Sequence, residues 1–326
     1  MGEITSDKTT LERQLISTLS TGEFCSGQAL GELLGVSRTA VWKHLQKLGE
    51  LGLNVESVKG LGYRIPGGLS LLDDTAIFAD IEPESRSQLS RLEVHHKIDS
   101  TNAYLSNMGD AAAGVAVLAE YQIGGRGRRG RSWVSPYGKN IYLSLGWRFD
   151  DGASRLEGLS LAVGVAVCRA LGAPQGLALK WPNDLLFEER KLAGILIEMQ
   201  GDPNGSCQVI VGVGINQGML QGFQGIDQPW ADVTEFCDWT RNQLAARVIS
   251  ELVPVVGGFS QGGLEPFLEE WNRWDLCKDR DVRLITPGRE ITGTARGIAA
   301  NGALVLERDG MQEQYSGGEI SLRFQS

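Results

Sequence analysis

The sequence predicts an α+β protein in three parts: a winged helix-turn-helix, a central mixed-sheet domain and a small terminal β-barrel. Three observations predict it. Two helix-like segments flank a glycine-containing turn within 26–50, and an alternating stretch follows them. From about 92, strand-like and helix-like segments are mixed. From 279, short strands succeed one another with turns between them. The divisions read as 1–67, 68–278 and 279–326. Length alone, 326 residues, implies only two domains at roughly 150 residues each.

Residues 9–20 read as an amphipathic helix with Leu11, Leu15, Ile16 and Leu19 on one face. Ser26 is placed to cap a second helix, its apolar face being Ala29, Leu30, Leu33 and Leu34. Gly35-Val36-Ser37 makes a tight turn. Ser37 caps a third helix, 38–50, with Val41, Leu45 and Leu48 facing inward. Residues 54–66, with Gly60 and Gly62, read as a two-stranded wing. The outer face of the third helix carries Arg38, Thr39, Trp42, Lys43 and Gln46. Over 37–64, five bases (Lys59 in the wing among them) face two acids, a local surplus of three positive charges. Ser37, these five residues and Lys59 suit phosphates and base edges in a major groove. The plainer alternative is a small helical bundle with solvated lysines.

Residues 67–74 (GGLSLLDD) read as a linker. Strands are expected at 92–98, 115–121, 140–149, 177–181, 192–200 and 207–215, and helices at 101–108, 155–171 and 240–257. The net charge of -9 disfavours a chain that coats nucleic acid along its whole length. Five widely spaced cysteines without a CxxC pair argue against zinc ribbons and thioredoxin-type sites. They fit reduced thiols in a cytoplasmic protein. The longest apolar run, within 159–168, is far short of a membrane span, which needs about 20 residues.

The sharpest motif is GGRGRRGRSW, 124–133, with Arg126, Arg128, Arg129 and Arg131 and no acid. Gly125, Gly127 and Gly130 match GxGxxG formally. A dinucleotide fold needs a helix after them, and Pro136 and Gly138 stand there instead. A phosphate cradle, a nucleic-acid patch and a lid over an anionic ligand stay open. Four guanidiniums this close repel, so order is expected only on an anion. A second motif, 180–199, contains Trp181-Pro182-Asn183-Asp184, then Lys191 at the mouth of an apolar strand and Gly194 within it. Lys191 could neutralise a carboxylate or phosphate, or be an ordinary solvated hairpin lysine. VGVGIN, 211–216, is a glycine-bearing strand ending in Asn216. In DSTN, 99–102, Asp99 or Ser100 caps a helix beginning near Thr101.

Together these motifs resemble the bifunctional biotin protein ligases of the biotin operon repressor type, over nearly the whole chain. The resemblance implies a class II synthetase-like central domain and an SH3-like terminal barrel. It implies that biotin and MgATP form biotinyl-5′-AMP, and that a lysine of the biotin carboxyl carrier protein of acetyl-CoA carboxylase then attacks. The absence of a Ser/His/Asp or Cys/His constellation agrees with such a reaction.

Position by position, the resemblance makes Ser100, Thr101 and Asn102 contacts of the ureido ring, with Gln122 nearby and Gly194 in the biotin site. Arg126, Gly127 and Arg128 form the closing loop. Lys191 acts between the biotin carboxylate and the α-phosphate, so Lys191, Arg128 and Arg126 are the catalytic candidates. Trp133 packs on adenine. Arg129, Arg131, Asn183, Asp184 and Asn216 serve the nucleotide, with Mg2+ near Asp184 and Asn216, and Arg296 serves ATP or the carrier. No residue is assigned as a metal ligand.

The resemblance also implies a homodimer when adenylate is bound, sitting on operator DNA with the adenylate as corepressor. No membrane partner is implied. Ile123-Gly124 and Ala299 depart from the family pattern outside the core motifs. A lipoate–protein ligase and a non-catalytic biotin-sensing regulator are the two alternatives.

Overall fold

A computed structural model describes residues 3–6, 11–150, 152, 156–202, 205–219, 226, 228–286 and 288–325. In chain order it opens with β1 (Glu3–Ser6), then α1 (Leu11–Leu19), α2 (Gly27–Leu34), α3 (Arg38–Leu48), β2 (Glu56–Val58) and β3 (Gly62–Arg64). The first two positions expected in the leading helix lie outside the described residues.

Capping forms this head. Ser26 accepts from Ala29 N, Gly35 closes α2 with φ 66°, and Ser37 accepts from Ala40 N. Leu15, Ile16, Leu19, Leu30, Val41 and Leu48 are fully enclosed. The expected inward face of α2 needs correction. Leu33 is 61% exposed, and the buried positions are Gly27, Leu30, Gly31 and Leu34. Gly31 lets the turn press close, since a Cβ there would meet Val36 O at 2.8 Å.

The stretch read as a linker is anchored. Arg241 Nη1 donates to Ser70 O at 2.8 Å and pairs with Glu120 Oε2 at 2.6 Å. Leu72 N donates to Glu120 Oε1, and Asn242 Oδ1 accepts from Asp73 N. A second tie joins head to body: His96 Nε2 meets Glu12 Oε1 at 2.9 Å, and its Nδ1 meets Tyr137 Oη at 2.6 Å.

The body continues with α4 (Asp74–Asp80), α5 (Pro83–Gln88), β4 (Arg91–His95), α6 (Thr101–Met108), β5 (Val115–Ala119), β6 (Ile141–Phe149), α7 (Leu159–Ala170), β7 (Leu177–Lys180), β8 (Asp184–Phe187), β9 (Arg190–Gly201), β10 (Cys207–Ile215), α8 (Arg241–Gly262) and α9 (Leu268–Trp274). The sheet order is β1-β4-β5-β6-β10-β9-β8-β7. Its β1/β4 and β4/β5 pairs are parallel and the rest antiparallel, a mixed sheet. Alternation along β5 sends Ala116 and Leu118 to the main core and Val115 and Val117 beneath α6. Both faces of the sheet are therefore covered.

Five antiparallel strands end the chain: β11 (Asp281–Thr286), β12 (Arg289–Ile298), β13 (Leu304–Arg308), β14 (Met311–Tyr315) and β15 (Ser321–Phe324), ordered β14-β13-β12-β11-β15. Their apolar side joins the body's core through Val282, Leu284, Leu304 and Leu306. Trp181 Nε1, donating to Gly302 O at 3.0 Å, fixes the seam. No helix among the described residues is long and apolar enough to cross a membrane.

Candidate active site and nucleic-acid interface

Three backbone features converge beside the sheet: the N-terminus of α6, the arginine-glycine loop, and the glycines of β9 and β10. Ser100 caps α6, and Ser100, Thr101 and Asn102 are all buried. Thr101 N donates to Gln122 Oε1 at 2.9 Å, and Gln122 Nε2 donates to Ser135 Oγ. Tyr142, Gly212 and Gln122 complete the closed end of a cleft of about 480 Å³, open solvent at its mouth included. Side chains would fill this space. A Cβ on Gly212 would lie 2.3 Å from Asn102 Oδ1, and one on Gly214 2.6 Å from the Trp133 ring. Gly194 stands under the same indole.

Lys191 stands where the polar pocket meets a cationic groove, lining both. Its Nζ is 2.9 Å from Asp184 Oδ1 and 5.5 Å from the Trp133 ring centroid. The groove continues with Arg128, Arg129, Arg131, Lys180 and Arg323. Burial holds the Lys180 ammonium below the ordinary lysine range; Asp184 opposes the shift and Arg323 reinforces it. Burial likewise lowers Arg128, against the opposing charges of Asp184 and Glu319. A groove of cations, two of them partly desolvated, suits a polyanion.

The loop also finds protein acceptors of its own. Arg128 donates to Asn183 Oδ1 at 3.0 Å and to the carbonyls of Gly317 and Gly318 on the terminal sheet. Arg129 reaches Ser321 Oγ at 3.0 Å, and Arg126 faces Glu198 at 3.5 Å. Gly127 N to Arg131 O and Trp133 N to Gly125 O close the turn. Arg129 itself takes φ 58°.

The structure thus gathers Ser100, Thr101, Asn102, Gln122, Arg126, Gly127, Arg128, Arg129, Arg131, Trp133, Asn183, Asp184, Lys191 and Gly194 around one continuous cleft. Two sequence candidates stand apart. The Asn216 amide donates to the carbonyls of Lys191 and Ala231 at 3.0 and 3.1 Å, a buried backbone brace outside the cleft lining. Arg296 sits on β12, ion-paired with Asp279 and Glu307. Those partners raise its pKa further, and it does not line the cleft. In its place the terminal sheet contributes Arg323 and the 317–318 carbonyls. Lys180, Arg323, Tyr142, Ser144 and Glu198 escaped the sequence reading. Lys180 and Glu198 had a signal, since both lie within the 180–199 motif. No group of three His, Cys, Asp or Glu side chains that could hold a metal occurs among the described residues.

On the head, Ser37, Arg38, Thr39, Trp42, Lys43, Gln46 and Lys59 are all exposed, Trp42 by 53%. Trp42, Gln46, Ser57 and Tyr63 line a groove between α3 and the wing. Arg64 pairs with Glu56 at 2.6 Å and lies over Phe24, so part of the local positive surplus is neutralised. The helix presents its donors outward, as a major-groove reader must.

Residues 94–216 match the biotin/lipoate A/B protein ligase family, 12–64 an HTH domain, and 279–323 the biotin protein ligase C-terminal domain. The chain is 44% identical over 321 residues to the bifunctional ligase/repressor BirA of Salmonella typhimurium, spanning 97% of this chain and 98% of that one. Its identity to the BirA of Escherichia coli is 43% over 320 residues, 96% of this chain and 98% of that one. Among solved structures it resembles biotin protein ligase from Aquifex aeolicus in complex with biotin and ATP. The TM-score there is 0.63 at 28% identity, covering 72% of this chain and 99% of that chain.

Proposed function

The chain belongs to the family of bifunctional biotin ligase/repressors, and from that premise we propose which of its residues perform each task. It is an ATP-dependent biotin ligase that carries a DNA-binding repressor head. Relatives of that description match over nearly the full length, which sets aside the lipoate ligase and the non-catalytic regulator.

Biotin's ring enters the closed end, against Ser100, Thr101, Asn102 and Gln122, and its carboxylate points to Lys191. ATP lies along the cationic groove, with Trp133 toward the adenine and Arg128, Arg129, Arg131, Lys180 and Arg323 around the phosphates. The carboxylate oxygen attacks the α-phosphorus, the bond to the β-phosphate oxygen breaks, and pyrophosphate leaves. Two anions must approach for this, and the Lys191 ammonium between them offsets their repulsion. The amine of a lysine on the biotin carboxyl carrier protein of acetyl-CoA carboxylase then attacks the acyl carbon, releasing AMP. The protein supplies position and charge and forms no covalent bond of its own.

Mg2+ fits Asp184. It is the carboxylate among those cations, and nucleotide-bound Mg2+ usually takes one or two protein carboxylates besides phosphate oxygens. The ion would neutralise phosphate charge there. The head, divided from the body near residue 67, reads operator DNA as a homodimer formed on the adenylate, and the body gives way to the terminal part near 279.

The observation that carries this reading is the position of Lys191, which lines both the polar pocket and the cationic groove. Pyrophosphate release by the purified chain, dependent on both biotin and ATP, tests it. No release would overturn the catalytic assignment.

A further inference from the structure

Glu198, on β9, turns its two oxygens to two different parts of the site. Oε2 accepts from Asn102 Nδ2 at 2.7 Å, while Oε1 lies 3.5 Å from Arg126 Nη2. The side chain is 31% exposed. The reaction described above gives it no part.

A carboxylate can only accept, and that fixes a direction along the pocket wall. Asn102 must present its NH2 to Glu198, so its Oδ1 faces Ser144 Oγ at 2.5 Å. Ser144 has one hydroxyl proton and donates it there. Its oxygen also lies 2.7 Å from Thr101 Oγ1, so Thr101 is the donor in that pair. Thr101 Oγ1 also lies 3.2 Å from Gln122 Oε1, which receives Thr101 N at 2.9 Å, but the shorter 2.7 Å contact to Ser144 takes the single hydroxyl proton. The donors therefore all point toward Glu198, and the lone pairs of Thr101 Oγ1 remain for a ligand N–H. A cyclic urea, with two N–H donors, matches such a wall. Asn102 packs over Gly212, where any side chain would collide with its amide.

We infer that Glu198 is a positioning residue with two connections: it orients the Thr101–Ser144–Asn102 chain for a cyclic urea, and it tethers Arg126 of the loop above it. The inference rests on the biotin-ligase reading.

Steady-state pyrophosphate release by the full chain, with biotin and ATP varied in turn, reads the first connection. Glu198→Ala is expected to raise KM for biotin about tenfold, the size of one hydrogen bond to a charged group. KM for ATP should move less than about twofold. Adding Ser144→Ala to Glu198→Ala should add less than about twofold more, since both act through one chain. Equal rises in both KM values, or full multiplication of the single effects, would overturn it. Should Glu198→Ala melt below the assay temperature, Glu198→Leu, which also has no acceptor for Asn102, carries the comparison, and it too must raise KM for biotin by a larger factor than KM for ATP.

Trypsin, without substrates, reads the tether. Glu198→Gln keeps the shape and an acceptor for Asn102 but loses the charge facing Arg126. Cleavage within 124–133 should quicken about twofold to fivefold, as loss of one partly exposed ion pair allows. Unchanged cleavage in a variant that melts like wild type rejects the tether. Wild-type protein that releases no pyrophosphate fails the ligase reading instead, and the trypsin comparison still decides for or against the tether.

Discussion

Lys191 Nζ stands 2.9 Å from Asp184 Oδ1, across the hairpin of β8 and β9. The ion pair holds the ammonium between the polar pocket and the cationic groove, with the Trp133 indole beside it. Neither partner is fully buried, so an incoming anion can compete for the lysine.

Lys191→Ala should therefore lower biotin-dependent pyrophosphate release by about 10²- to 10³-fold, the usual loss for one charge-stabilising donor. Circular dichroism should show the fold retained. Lys191→Arg should not restore the rate, because a planar fork does not replace a compact ammonium. Normal turnover in either variant refutes the assignment.

Arg128→Ala removes the contacts that join the loop to Asn183 and to the 317–318 carbonyls. Preformed biotinyl-5′-AMP should dissociate about tenfold faster, on the scale of one charge-assisted bond. Release of radiolabelled adenylate into an unlabelled chase measures it, and an unchanged rate counts against a closing loop.

Lys43 and Gln46 share the exposed face of α3 with different expected tasks. Lys43→Ala should weaken operator binding evenly across sequences and reduce the salt-dependence slope by about one. Gln46→Ala should relax preference at one base pair, at a cost of about 1–3 kcal/mol. Fluorescence anisotropy over a salt series separates the two.

Arg241→Met would leave the Glu120 carboxylate buried without its cation. Breaking such a pair from one side costs about 3–5 kcal/mol. Urea unfolding should show the midpoint falling accordingly, and a shift near zero would mean that the pair is dispensable.

Glu93 governs part of the acid limb. Burial raises its pKa, but hydrogen bonds from His95 and Tyr104 and the charge of Arg91 outweigh burial and hold it below its ordinary 4.5. A depressed carboxylate contributes stability that is present above the ordinary value and lost as pH falls through the lower folded one. Glu93→Gln should lose stability at neutral pH, and its deficit against wild type should shrink below 4.5. A deficit that is constant with pH contradicts this.

Local chemistry was legible in the sequence. Ser26 and Ser37 cap the helices they were expected to cap, because a cap is set by residues three apart. Thirteen of the fourteen cleft residues lie in short motifs for the same reason, each motif being a turn or a strand end, and Gln122 came only with the family resemblance. Long-range placement was not legible. Arg323 reaches the groove only because the terminal sheet docks on Trp181, 142 residues earlier in the chain. Arg296, on the same sheet, points to Asp279 and Glu307 instead. Helices α4 and α5 span seven and six residues, too short to show a period, and residues 67–74 just before them read as plain linker. Leu33 carries an inward-facing residue type, but the spacing of Gly27 and Gly31 sets the true buried face of α2.

The grip of Arg241 and Asn242 on residues 70–73 gives the DNA-reading head a heading as well as an attachment. A head on a free tether would search for its half-site and accept many spacings. This one points in one direction from its own body. Two copies joined through their bodies would hold their α3 helices at one separation, so the distance between paired half-sites would be a dimension of the protein, ruled by a buried guanidinium far from any base pair.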